Sequence, residues 1–160
     1  ARLAAAGRRV LLRFVGDGPD RDSLEQEART RGLGASVVFE GSVNQDRIRA
    51  LYSTADVFAL ASFAEGIPVV LMEAMAMEIP CVTTFITGHP ELIRDGVDGM
   101  LVAPSDAAAL AEAIAGLIAD PERRRRLGEA GRRRVIEKYD LETNTRRLAD
   151  ILRHRLGEPT

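Results

Sequence analysis

The feature that most constrains this chain is an alternation. Short runs rich in Val, Leu and Phe take turns with longer stretches of helical periodicity, which is the pattern of βαβ units around a parallel sheet. The runs fall at residues 10–15, 37–39, 56–60, 80–83 and 99–102. After Gly16-Asp17-Gly18-Pro19-Asp20, the residues Leu24, Ala28 and Leu33 mark the inner face of a helix that Gly32 and Gly34 help to end. Asn44 is placed to cap a second helix over 46–53, with Ile48, Leu51 and Tyr52 facing inward. A strongly apolar helix follows over 68–77. From Ser105 onward the reading is helical. Ser105 or Asp106 caps 107–119, Asp120-Pro121 opens the next helix, and Asp140 starts a last one to about residue 156, with a frayed tail at 157–160. The expected fold is α/β: a Rossmann-like, doubly wound parallel sheet of about six strands with helices on both faces, forming one domain.

Composition narrows the function. The 160 residues suffice for a single core, and no apolar stretch approaches a membrane span. Arg8 and Arg9 stand where an export signal would need its apolar centre, so a cytoplasmic setting is the expectation. A net charge of −2 argues against general nucleic-acid binding, which needs surplus cations for phosphates. Cys81 is the only cysteine and sits in the apolar run Ile79-Pro80-Cys81-Val82, the setting of a buried strand thiol rather than a nucleophile. No His, Cys or Asp grouping has metal-ligand spacing.

The chemistry concentrates between residues 65 and 76. Proline suits a first helical turn because its absent N–H would be an orphan there. Ile67 then takes the N-cap position, where it offers no side-chain acceptor. The amides of Val69 and Val70 therefore need another partner, and a diphosphate fits because donors and helix dipole converge on one point. Gly66 allows a ligand close to the backbone. Glu73 is the only charge between Pro68 and Met77, on a helix that reads as buried nearly all round. A buried carboxylate must meet a protein donor or ligand hydroxyls. The two hydroxyls of a ribose suit it, and core amides or an arginine are the alternative. Glu65, taken alone, is also readable as an exposed loop acid near a helix N-terminus.

Taken together, Glu65-Gly66-x-Pro68, Glu73-Ala74-Met75-Ala76 and Ile79-Pro80-Cys81-Val82 resemble the E-x7-E signature of family 4 glycosyltransferases, retaining enzymes of the two-domain GT-B fold. Val15-Gly16-Asp17-Gly18-Pro19, Phe39-Glu40-Gly41-Ser42-Val43, Ala55-Asp56-Val57-Phe58, Thr87-Gly88-His89-Pro90-Glu91-Leu92-Ile93 and residues 96–102 resemble further segments of that family. The wording around Glu65 is similar to exopolysaccharide and colanic acid glycosyltransferases. The resemblance implies that Glu65 contacts hydroxyls of the donor sugar near the anomeric centre and that Glu73 binds the ribose. It implies that Gly66, Ile67, Pro68, Val69 and Val70 lie against diphosphate and sugar, that Gly16 and Gly18 line the cleft, and that Gly41, Ser42 and Val43 bound the base pocket. No metal or cofactor is implied beyond the substrate, a nucleotide-diphospho-sugar expected to be a UDP-sugar.

The family's diphosphate-clamping Arg and Lys and its acceptor-binding N-terminal domain have no counterpart in these residues. The chain thus reads as the donor-binding, C-terminal half, with its last helix at about 140–156 returning toward the other domain, and it is expected to turn over negligibly alone.

Gly16-x-Gly18 fails as a dinucleotide fingerprint because Arg21 holds the third glycine position. His89 reads as a turn residue, with contact to the donor as the alternative. Arg123 to Arg126 with Arg132 to Arg134 reads as a charged helix face paired with Glu122, Glu129 and Glu137. A peripheral contact with an anionic membrane surface is the sharper alternative. Rival functions are a sugar-nucleotide epimerase of the same architecture and a non-catalytic sugar-nucleotide-binding module.

Overall fold

The computed structural model describes residues 1–156, so the tail expected to fray at 157–160 lies outside the described residues. The expected strands form with boundaries moved by one or two residues: β1 (Leu12–Val15), β2 (Val37–Gly41), β3 (Phe58–Leu60), β4 (Cys81–Thr84) and β5 (Met100–Val102). Every pairing between them is parallel. The single sheet of about six strands is corrected, however. Among the described residues there are five strands in two ladders, β1-β2 and β3-β4-β5. No sixth strand forms because the described residues beyond Val102 carry helical periodicity and fold as helices.

The helices are α1 (Arg2–Ala5), a short turn the sequence reading did not anticipate, then α2 (Arg21–Thr30), α3 (Gln45–Tyr52), α4 (Val69–Ala76), α5 (His89–Leu92), α6 (Ala107–Ala119), α7 (Pro121–Tyr139) and α8 (Leu141–Leu156). Their starts are fixed locally. Asn44 accepts from the Arg47 amide at 2.9 Å, Asp106 from Ala108 and Ala109, and Asp120 from Arg123, each filling an orphan donor of a first turn.

Side-chain alternation along the strands sorts the core into two layers. Phe58, Leu60, Cys81 and Leu101 pack with Leu71, Ala74 and Met75 of α4 and with Leu92 and Ile93. Val57, Val82, Met100 and Val102 pack on the opposite face with Leu117 of α6 and Leu127 of α7. Helices therefore cover both faces of the three-stranded sheet, as a doubly wound fold requires. The β1-β2 unit is looser. Leu24 is 41% exposed, and α2, the two strands and α6 border an open apolar cleft of about 440 Å³. The inner face expected for α2 is thus only partly covered.

The arginines of α7 serve the fold. Arg124 donates to the carbonyls of Leu117 and Ile118 at 2.8 and 3.0 Å, Arg132 to Ala76, and Arg134 to Leu92 and Glu91. Three helices, α6, α4 and α5, thereby have C-terminal carbonyls satisfied by one neighbour. Arg125 forms the expected pairs with Glu122 and Glu129. Among the described residues no helix is long and apolar enough to cross a membrane.

Candidate functional site

The backbone donors at the start of α4 set what can bind there. The helix begins one residue later than expected: Pro68, not Ile67, is the N-cap, with φ −72° and ψ 127°. Its carbonyl accepts from the amides of Leu71 and Met72 at 3.2 and 3.4 Å. The remaining first-turn amides are those of Val69 and Val70, and neither has a partner among the described residues. Both residues are open to solvent, at 61% and 40% exposure. The expectation of a helix buried all round is therefore corrected. Leu71, Ala74 and Met75, spaced i, i+3 and i+4, fill one side, while the N-terminus faces outward.

The two acids flank that start differently. Glu65 is exposed and accepts from Ser62 Oγ at 3.1 Å within its own loop. Glu73 is half-buried rather than deep, so the expected need for a protein donor or ligand hydroxyls is relaxed, and no arginine meets it among the described residues. Tyr52 Oη stands 3.2 Å from Glu73 Oε2 and 3.2 Å from the Val70 carbonyl, and its single proton can serve one of them at a time. Burial first, and then the nearby Glu73 charge, push the Tyr52 hydroxyl well above its ordinary pKa, which keeps it a neutral donor. The sequence marked Tyr52 only as an inward residue of α3. Nothing local identifies its partner 21 positions away.

The glycine corners lie at the C-terminal ends of β1 and β2, the edge where ligands gather on parallel sheets. Gly16 (φ 117°) and Gly41 (φ 69°) adopt backbone conformations that side chains oppose, and the Gly16 amide donates to the Gly41 carbonyl at 2.9 Å. Gly18 N–H turns back onto Asp17 Oδ1. Ser42 is exposed and Val43 half-buried, leading into the Asn44 cap. Among the described residues no hydrogen bond joins these corners to the Pro68 loop. The link is α3, which starts beside the Gly41-Ser42-Val43 turn and ends at Tyr52 against Glu73. Nearby, hydrogen bonds from Arg47 and then Arg13 hold the Glu40 carboxyl below its usual range, against the opposing effect of burial.

His89 departs most from its sequence reading. It is fully buried, not an ordinary turn residue. Its Nδ1 lies 2.8 Å from both Thr83 Oγ1 and the Thr84 carbonyl, and its Nε2 is buried with no partner among the described residues. The adjoining Gly88 presses on the Glu65 loop: a Cβ there would stand 1.8 Å from the Gly66 carbonyl oxygen.

This arrangement has relatives. The model of the family described as glycosyl transferases group 1 matches residues 1–134. The GDP-mannose-dependent alpha-(1-6)-phosphatidylinositol monomannoside mannosyltransferase of Mycolicibacterium smegmatis is 33% identical over 148 residues, 88% of this chain and 39% of that protein. Among solved structures, sucrose-phosphate synthase from Thermosynechococcus elongatus superposes with a TM-score of 0.83 at 29% identity, covering 99% of this chain and 42% of that one. Anabaena HepE in complex with UDP gives a TM-score of 0.83 at 29% identity, covering 89% of this chain and 40% of HepE. HepE is also solved with UDP-glucose. The chain thus spans about two-fifths of the length of these proteins. With the parallel α/β fold, the glycine corners and the open, flanked start of α4 in place, the chain belongs to the glycosyl transferases group 1 family.

Proposed function

We propose that the chain holds the nucleotide-sugar donor of a retaining glycosyltransferase that builds polysaccharides or glycoconjugates. The observation that carries this reading is the pair of unpartnered amides, Val69 and Val70, at the exposed start of α4 between Glu65 and Glu73. In this reading the diphosphate accepts from those amides and sits on the positive end of the helix dipole. Glu73, oriented by Tyr52, takes the ribose hydroxyls, and Glu65 takes sugar hydroxyls close to the anomeric carbon. Gly66, Ile67 and Pro68 lie along the diphosphate and sugar. Gly16 and Gly18 line the cleft, and the Gly41-Ser42-Val43 turn borders the base.

Transfer breaks the bond from anomeric carbon to diphosphate oxygen and forms one to an acceptor hydroxyl on the same face, the hydroxyl proton passing to the departing diphosphate. The helix start stabilises the charge that develops there. UDP is the proposed nucleotide, supported by HepE with UDP and UDP-glucose, while the mannosyltransferase named for GDP-mannose makes GDP the competitor to test. The acceptor side belongs to a second domain in this proposal, toward which the apolar stripe of α8, with Leu148, Ile151 and Leu152 about half exposed, returns. Transfer by these 160 residues alone is then negligible. Peripheral membrane contact is not included. Of the α7 cations Arg126, Arg133 and Lys138 have no side-chain partner among the described residues, still fewer than a lipid-binding basic cluster needs.

Titration calorimetry with UDP, GDP and UDP-glucose tests the proposal. Glu73→Ala is expected to weaken UDP at least about tenfold, since hydrogen bonds to an ionised group contribute about 1.5–3 kcal/mol. Glu65→Ala is expected to weaken UDP-glucose and leave UDP within about twofold. If both variants bind both ligands as the parent does, the assignment is wrong.

A further inference from the structure

The loop that carries Glu65 is held from the far side by the corner between β4 and α5. Thr84 Oγ1 donates to the Ser62 carbonyl at 2.6 Å, and Ser62 Oγ in turn donates to Glu65 Oε1 at 3.1 Å. Thr83 Oγ1 gives its proton to the Leu60 carbonyl at 2.7 Å, at the end of β3 where the loop begins. That leaves Thr83 Oγ1 an acceptor toward His89. The Thr84 carbonyl can only accept, so Nδ1 of His89 carries the proton and serves both. The near edge of the same corner, Gly88, rests against the carbonyl of Gly66, the residue after Glu65. Thr83, Thr84 and His89 are all buried, so the two His89 bonds do not compete with water, whereas the Ser62–Glu65 link lies at the surface. Packing alone does not account for a histidine there, because an aliphatic side chain would fill the space without leaving Nε2 unpaired.

We propose that Thr84 and His89 are positioning residues for Glu65: they fix the two strand ends and the loop from which it reaches the donor sugar. The inference rests on the assignment of Glu65 to the sugar. It adds that selectivity for the sugar-bearing nucleotide over the bare nucleotide is set by a buried corner that touches neither. Val69, Val70 and Glu73 belong to α4, outside this network, so bare UDP is expected to be less sensitive to it than UDP-glucose.

The test compares UDP and UDP-glucose by calorimetry for the parent chain, Thr84→Val, His89→Leu and His89→Asn. Thr84→Val and His89→Leu are expected to lose roughly three- to tenfold in UDP-glucose affinity relative to UDP, the range of one or two neutral hydrogen bonds. Asn supplies an N–H near the position of Nδ1 but nothing at Nε2, so His89→Asn should restore the preference. A rescue of this kind is not expected if the ring acts only as core packing. Should His89→Leu fail to fold, Thr84→Val carries the same prediction with the histidine in place.

Unchanged preference in Thr84→Val overturns the proposal. So does equal weakening of both ligands, which marks a general loss of structure. Failure of His89→Asn to rescue overturns it too, because Nε2 and not Nδ1 would then be the working atom. A parent chain that binds neither nucleotide overturns the donor-site reading itself, and this proposal with it. A parent that prefers UDP-glucose beside variants that prefer it equally leaves that reading standing and removes only the corner.

Discussion

Gly88→Ala adds one methyl group where two backbone segments meet. Gly88 has φ −84° and ψ −20°, values any residue adopts, so the substitution introduces no backbone strain and acts through contact alone. The new carbon would lie 1.8 Å from the Gly66 carbonyl oxygen, 2.3 Å from its carbon and 2.9 Å from the Ile67 nitrogen. Real Cβ contacts stay beyond 3.0 Å, so the corner and the loop must separate by at least 3.0 − 1.8 = 1.2 Å. Neither side yields easily. The corner is tied through Thr83, Thr84 and His89, and the obstructing atoms are main chain just ahead of Pro68. Overpacking of this kind costs about 1–3 kcal/mol. A shift of more than 1 Å also exceeds the width of a hydrogen bond's distance range, so the contact proposed between Glu65 and the sugar should be lost.

Urea denaturation should show a lowered midpoint at unchanged slope, and calorimetry a lost preference for UDP-glucose over UDP. A variant matching the parent in both midpoint and preference would refute the close approach and the argument built on it.

Other outcomes follow from burial and charge. Leu71→Ala, in the fully buried face of α4, should lower stability by about 2–5 kcal/mol, whereas Val69→Ala on the open turn of the same helix should change it by less than about 0.5 kcal/mol. Comparable losses in urea melts would show that the helix start is covered. Glu40, whose folded pKa is depressed chiefly by the Arg47 hydrogen bond, contributes stability above its unfolded pKa, and that contribution fades as pH falls through the lower folded value. Thermal melts of Glu40→Gln should therefore lie below the parent at pH 7 and converge with it below about pH 4. A gap independent of pH would show that the carboxylate charge contributes nothing to folding.

Much of the fold was legible because the responsible interactions are local. Asn44, Asp106 and Asp120 cap helices through amides two or three residues on, and the runs at β4 and β5 differ from their expected bounds by one residue. Pro68 also identified, to within one residue, the helix start whose Val69 and Val70 amides have no partner among the described residues. These features are set by neighbours in the chain, whose types and spacing the sequence states outright.

Tertiary structure alone decided the rest. Whether α4 is buried all round or open at its start depends on which elements reach it, and apolar composition is the same in either case. The Tyr52 partner of Glu73, the carbonyls of α4, α5 and α6 capped by α7, and the seat of His89 against Thr83 and Thr84 under the Glu65 loop all depend on how elements distant in sequence meet. Local propensity fixes where a helix or strand begins. Which buried polar atoms find partners, and which turn is left accessible, is fixed only when the layers close on one another.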